Sequence, residues 1–409
     1  MRAYQDLAEA RPDPFIRYEY PRLLDVSRAA VAALLRVPAD TVVFVSNATV
    51  GVNTILRNLV WAADGRDELL YFDTAYPACA KAVDFAVEAS AGLAAAREIP
   101  LAYPLADAAV LAAFAAAVAA SRAAGRRPRA CLFDVVSSLP AVRFPFEALT
   151  AACRAHGVLS LVDGAQGVGL VDLDLATADP DFFVSNCHKW LHVPRGCAVL
   201  YVPRRRQALV RTTLATSHGF VGDSGGGGRP PRPNPLPPSA KSAFVANFEF
   251  VGTLDNAPYL CVADAIRWRA EVLGGEAAVR EYTWGLARRG GARVAEMLGT
   301  EVMENREGTL GRCAMVNIGL PVWIGKREGG KPGDLVVSET EAAPLKEWLH
   351  ETIIADHSTF IQVFLYRGRF WVRLSAQVYL DMDDFEFAGR VLQEMCPRLE
   401  KRVRETSKL

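Results

Sequence analysis

Neither charge sign is in excess. Lysine plus arginine is 46, aspartate plus glutamate is 46, and the formal net charge is zero. That excludes a strongly basic nucleic-acid binder and an acidic solvating tail. Long apolar runs are missing too. The longest, Ala108–Ala120, covers 13 residues, short of the roughly 18 a membrane span needs. Met1–Asp6 shows no basic stretch followed by an apolar one. No secretory leader is read there, and a cytoplasmic location is expected. Neither nucleic acid nor membrane is an expected partner. Cysteine is sparse, eight in 409 residues with no C-x-x-C spacing. This excludes a disulfide scaffold and argues against a zinc ribbon or a thioredoxin-type site. The cysteines are expected to be small buried apolar groups.

What is present is an ordinary globular composition, 51% hydrophobic and 22% charged, which excludes disorder throughout. At roughly 150 residues per domain, the length suggests two or three domains. Short apolar runs alternate with helical stretches. Strands are expected at 41–45, 68–72, 129–133, 158–162, 181–184 and 198–202. Helices are expected at 51–60, 78–88, 108–122 and 146–156, with Asp107 capping the third. Strands separated by helical patterns imply βαβ units and a mostly parallel sheet. Gly219–Lys241 breaks the pattern with four consecutive glycines and a proline-rich run. It is expected to be a surface loop or a cover near a site. Beyond Pro258 the chain reads as long helices at 260–272 and 276–298. Strands at 313–318 and 370–375 and a terminal helix at 383–404 follow.

The informative block is 161–196. Asp163 ends a fully apolar strand, and Lys189 follows a second one, 189 − 163 = 26 residues later. Open α/β sheets bind ligands outside the C-terminal ends of their strands. A carboxylate and an amine at two such ends suggest a pyridoxal phosphate site. Taken alone, a surface lysine and a capping aspartate are the better explanation of the pair. Asn47-Ala48-Thr49 stands between a strand and a helix, a ready anion site with Asn47 as cap. His188 and His192 are four apart, but Lys-Trp-Leu between them lacks the glutamate of a zinc protease motif. No metal is expected. Gly164, Gly167 and Gly169 are spaced G-x-x-G-x-G, which is not the dinucleotide fingerprint.

The DGAQ and HKW motifs resemble the class V aminotransferase family of pyridoxal-phosphate enzymes, fold type I. Its isopenicillin-N-epimerase-like branch is the nearest in plan. VSNATVGVN, YFDTAYPA, LFDVVSSLPAVRFPFE, SNCHKWLHVPRGCAVLYVP, FEFVGTLDNAPYL and FWVRLSAQVYLDMDDFE follow that plan in order, over about residues 11–395. Their wording is most similar to fungal members, the ergothioneine-pathway C–S lyase and the loline-pathway enzyme among them. The resemblance implies an α/β large domain at 36–257 with a mostly parallel, mixed seven-stranded sheet flanked by helices. It implies a linking helix at 258–274 and a small α+β domain made of 1–35 and 275–409.

The resemblance also implies site roles. Lys189 is the Schiff-base lysine, Asp163 the partner of the pyridine nitrogen, and Gln166 the partner of the phenolic oxygen. Ala48, Thr49, Ser185 and His188 hold the phosphate. Gly252 and Thr253 reach the phosphate of a neighbouring subunit, which implies a homodimer with shared active sites. Tyr76 stacks on or beside the pyridine ring and borders the substrate. Ser138 is a polar cofactor contact at a position that carries Asn in desulfurase-type relatives. Arg373 binds the α-carboxylate of an amino-acid substrate, a two-pronged task that lysine cannot copy. Arg17 and Arg22 are further candidates. Family members usually begin with a segment holding an Asn-x-Gly turn. This chain starts after it, so either the sequence is truncated or that role moves elsewhere.

The expected reaction is β-elimination from a cysteine conjugate or from hercynylcysteine sulfoxide, giving pyruvate and ammonia. Loline-type bond formation or breakage at Cα, isopenicillin-N-epimerase-type epimerisation and transamination follow in that order.

Overall fold

The computed structural model describes residues 1–212, 214–216, 220, 236–237 and 239–406. Most of the Gly/Pro-rich stretch Gly219–Lys241 lies outside them.

Seven strands form the first sheet: β1 (Val42–Val45), β2 (Asp67–Phe72), β3 (Ala94–Ile99), β4 (Arg127–Asp134), β5 (Leu159–Asp163), β6 (Phe182–Asn186) and β7 (Ala198–Tyr201). Their order is β1-β7-β6-β5-β4-β2-β3. From β3 across to β6 all pairings are parallel, and β7 runs antiparallel to both β6 and β1. The central strands are apolar on both faces and buried along their whole length, as parallel strands covered by helices must be. The sequence reading missed β3, whose Ala-Ala-Ala-Arg-Glu-Ile is poor in β-branched residues. It forms as an edge strand, where its Arg97 Nε donates to Glu68 Oε2 on β2 at 2.9 Å. Burial along β3 alternates, as one covered face requires.

A second sheet holds β8 (Met315–Ile324), β9 (Leu335–Val337), β10 (Gln362–Tyr366) and β11 (Arg369–Ser375), in the order β10-β11-β8-β9. The helix Met382–Thr406 closes the chain within the described residues.

The chain divides into two compact units. The first is 1–100, 108–136 and 145–276, and the second is 101–107, 137–144 and 277–409. This division differs from the expected one at both ends of the large domain. Residues 1–35 group with the first unit, because the helix Tyr20–Leu35 buries Leu24, Val31 and Leu35 and packs on the helix Ala257–Val272. Ser27 Oγ donates to Leu260 O across that contact at 3.1 Å. Phe44 of β1 and Tyr259 stack with centroids 5.5 Å apart. The helix expected to link the domains is therefore built into the first unit.

One helix packed on the sheet positions much of what matters in the first unit. The helix Ala48–Asn58 is capped by Asn47, whose side chain accepts from Val50 N at 2.9 Å. It lies so close to the sheet that a Cβ on Gly51 would stand 2.5 Å from Val184 Cγ2 of β6. Gly51→Val should therefore overpack this contact and cost about 1–3 kcal/mol. Urea unfolding of the full chain checks it, and an unchanged midpoint would contradict the packing described.

Candidate active site

β4, β5 and β6 end side by side. Asp134 is in register with Asp163, and Asp163 with Val184. Just beyond β6 the chain makes one helical turn, Cys187–Trp190, which carries Lys189. The C-terminal ends of three parallel strands thus bring two carboxyl groups and an amine to one end of the sheet.

Asp163 is 3% exposed. Its Oδ1 accepts from Ala165 N at 2.8 Å, and its Oδ2 accepts from the Cys79 thiol at 3.0 Å. A backbone N–H and a weak sulfur donor stabilise the charged form. Asp134 has no hydrogen-bond donor among the described residues. Burial, and next the charge of Asp163, push its carboxyl well above the usual range, while Lys189 pulls it down. Burial beside a like charge thus keeps the proton on Asp134, the carboxyl without donors. Cys79 is likewise pushed up, first by burial and then by Asp163. It is a neutral thiol that donates.

Lys189 Nζ lies 5.9 Å from the centroid of the Tyr76 ring. Tyr76 begins the helix Pro77–Ala89 and is half exposed, so its ring is open to a ligand on one side. Tyr76, Cys79, Asp134, Asp163 and Lys189 therefore form one cluster. The sequence reading placed three of them. It missed Cys79, which has no motif of its own, and Asp134, which closes an apolar run as Asp163 does but has no amine following it.

The loop after β5 carries Gln166, which is buried and accepts from Trp190 Nε1 at 3.3 Å. Ser185 is wholly buried. It accepts from Val168 N at 2.8 Å and directs its proton to Gly164 O. Ser185 is thus fastened to this loop rather than pointing its donor outward. His188 Nδ1 lies 2.7 Å from Cys197 O and 3.2 Å from Cys197 N, so the backbone of Cys197 fixes the ring, and the tautomer sets which of the two bonds forms. Burial, above all, holds the imidazole below its ordinary value and neutral. Ala48 N donates to Asn186 Oδ1 at 2.8 Å, so its amide is already used. That bond ties the start of the helix Ala48–Asn58 to the end of β6. Val50 N is used by the Asn47 cap. Among the described residues the Thr49 amide has no acceptor, and it stands where the helix dipole favours an anion.

Gly252 and Thr253 lie between the helices Ala243–Glu249 and Ala257–Val272, Gly252 with φ 124° and Thr253 exposed. Arg17 pairs with Asp13 at 3.6 Å, and Arg22 Nε donates to Tyr18 O at 2.9 Å.

The second unit brings the two remaining candidates together. Arg373 of β11 donates from Nη1 to Ser138 O at 2.9 Å and to Ser138 Oγ at 3.3 Å. Its Nε is buried without a partner, a cost of about 1–3 kcal/mol for an unsatisfied donor. Burial lowers the guanidinium below its ordinary value. A bound carboxylate would satisfy that nitrogen.

These donors fit pyridoxal phosphate. A buried carboxylate suits a protonated ring nitrogen, an amine suits an aldehyde, and a capped helix start with a spare amide suits a phosphate. Among the described residues no group of three or more His, Cys, Asp or Glu could hold a metal ion. No helix among them is long and apolar enough to cross a membrane.

A family model described as aminotransferase class-V matches residues 19–219. The chain is 36% identical to the L-cysteine desulfhydrase-like protein lolT1 of Epichloe uncinata, over 98% of this chain and 89% of that one. The chain belongs to the class V aminotransferase family. It is an enzyme of that pyridoxal-phosphate-dependent family. It is also 28% identical to the hercynylcysteine sulfoxide lyase of Schizosaccharomyces pombe, over 95% of this chain and 88% of that one. Among solved structures it resembles a complex between the cystine C–S lyase C-DES and its reaction product, cysteine persulfide. The TM-score is 0.69 at 18% identity, covering 91% of this chain and 87% of that one. The fold is that of the fold type I enzymes.

The raised Asp134 carboxyl has a measurable consequence. Its contribution to stability is full below the unfolded value of about 3.9 and is lost as pH rises toward the folded value. Without cofactor, stability should fall as pH rises above that unfolded value, by up to about 1.4 kcal/mol per pH unit from this group. Asp134→Asn should flatten that decline. Urea unfolding across this range checks it, and parallel slopes for the two proteins would contradict the assignment.

Proposed function

We propose that this chain is a pyridoxal-phosphate lyase that cleaves the C–S bond of a cysteine-type amino acid by β-elimination. A thiolate-type leaving group departs from Cβ, and water releases pyruvate and ammonia. The cluster of Lys189 with Asp163 and a protonated Asp134 at neighbouring strand ends carries this reading. The names borne by the relatives, a cysteine desulfhydrase-like protein and a sulfoxide lyase, support the choice of sulfur as leaving atom.

Pyridoxal phosphate, when bound, supplies the electron sink that stabilises negative charge at Cα. We assign Lys189 to hold its aldehyde carbon, Asp163 to face its ring nitrogen, and Gln166 its phenolic oxygen. Ala48, Thr49, Ser185 and His188 surround the phosphate, and the Thr49 amide is the donor already presented. Tyr76 would border the ring, its exposed face offering an aromatic surface beside Lys189. Gly252 and Thr253 complete the phosphate site of a second copy in a homodimer. Arg373 takes the α-carboxylate in two-pronged fashion, with Ser138 holding its Nη1 and the orphaned Nε turned to the substrate. Lys189 Nζ, once released, is the base that removes the Cα proton.

The resemblance of the sequence motifs to the loline-pathway enzyme leaves one second reading, bond formation or breakage at Cα. The test is incubation of the loaded enzyme with hercynylcysteine sulfoxide and simple cysteine conjugates, with assay of pyruvate and ammonia. Both products should appear in equal amounts. Lys189→Ala should abolish them, and Asp163→Ala should lose most turnover with folding retained. A loaded enzyme silent across the panel would sink the lyase reading and favour the second.

A further inference from the structure

Arg269, on the helix Ala257–Val272, is 0% exposed. A guanidinium has five N–H donors and stays charged in proteins. All five are engaged here. Nε donates to Glu276 Oε1 at 2.5 Å and Nη2 to Glu276 Oε2 at 2.7 Å, a two-pronged pair. Nη2 also donates to Gly169 O at 3.1 Å. Nη1 donates to Trp190 O and to His192 Nδ1, both at 2.9 Å.

The acceptors other than Glu276 come from two loops. Gly169 belongs to the loop after β5, the one that carries Gln166. Trp190 and His192 belong to the turn that follows Lys189. That turn needs outside support. Cys187–Trp190 is a single helical turn, far below the length at which a helix holds itself. His192 sits at φ 62°, a left-handed conformation unfavourable for a residue with a Cβ. Its ring meets Trp268 edge-on at 5.5 Å. Gly169 has φ 79°, and a Cβ there would stand 2.6 Å from Trp190 O. The two loops therefore touch backbone to backbone, which puts their carbonyls within reach of one guanidinium. Stability alone is a poor reason for the arrangement. An ion pair taken out of water gains little over apolar packing, whereas these donors fix a turn that is not self-supporting.

We infer that Arg269, oriented by Glu276, is a positioning residue that fixes the Lys189 turn against the Gln166 loop. This rests on the reading of Lys189 as the reacting amine. Arg269 itself touches no substrate. It holds the backbone carbonyl one residue beyond Lys189 and the imidazole three residues beyond it, so that the ε-amine starts from a fixed root.

The test compares the full chain with three variants: Arg269→Met combined with Glu276→Met, Arg269→Lys, and Glu276→Gln. The double variant removes both charges and keeps volume, so folding should survive. Hydrogen exchange is followed on the cofactor-free proteins. In the double variant, amides at 187–193 should exchange at least about tenfold faster while β2 and β4 stay unchanged. In the loaded enzyme, kcat should fall on the order of a hundredfold, with KM within about threefold. Arg269→Lys should recover part of kcat, and Glu276→Gln should be milder than the double variant. A folded double variant with unchanged exchange at 187–193 would overturn the inference. So would a rise in exchange spread evenly over the whole chain. Exchange needs no turnover, so failure of the Lys189 reading would show separately, as activity surviving in Lys189→Ala.

Discussion

Asp163 ends a strand in which every residue is buried, and buried carboxyl oxygens are costly unless donors come to them. The Ala165 amide and the Cys79 thiol do so. Much of the site follows from that requirement. The tight turn that lends the Ala165 amide also starts the loop carrying Gln166. The helix that lends Cys79 begins at Tyr76. The neighbouring carboxyl of Asp134, left without donors, is pushed up by burial and holds its proton. Two side chains of one type, paired in register on neighbouring strands, thus acquire different surroundings.

The second constraint is that the amine stands on a turn too short to hold itself. Supports reach it from several directions. Cys197 O accepts from Cys187 N at 3.0 Å, Gln166 takes the Trp190 indole, and Arg269 takes the carbonyl of Trp190. The Ala48–Asn186 bond fastens the anion-binding helix start to the same strand end. The parts offered to a phosphate, a ring nitrogen and an aldehyde are therefore linked to one another by buried hydrogen bonds. That is the economy expected of a preorganised site.

Much of this was legible in the amino-acid sequence. Six of the seven strands of the first sheet announce themselves as apolar β-branched runs. The missing one, Ala94–Ile99, does not, because an edge strand of alanines is held by pairing and by Arg97–Glu68 rather than by propensity. Lys189 and Asp163 could be found because each follows a buried strand inside a distinctive motif. Asp134, Cys79, Asn186 and Arg269 could not. Their roles depend on which strand end lies beside which, and on a helix about 80 residues downstream reaching back to Trp190 (269 − 190 = 79). The N-terminal helices were read with the small domain and group instead with the first unit. Their helical pattern gives the buried face but not the partner that covers it.

The account stands on Lys189 as the residue that takes the cofactor. The direct test is borohydride reduction of the pyridoxal-phosphate-loaded protein, followed by proteolysis and mass mapping. The expected result is one modified peptide, spanning Cys187–Trp190, with the cofactor mass on Lys189 and no visible absorbance in Lys189→Ala. Cofactor trapped on a different lysine, or no trapping under saturating cofactor, would contradict it.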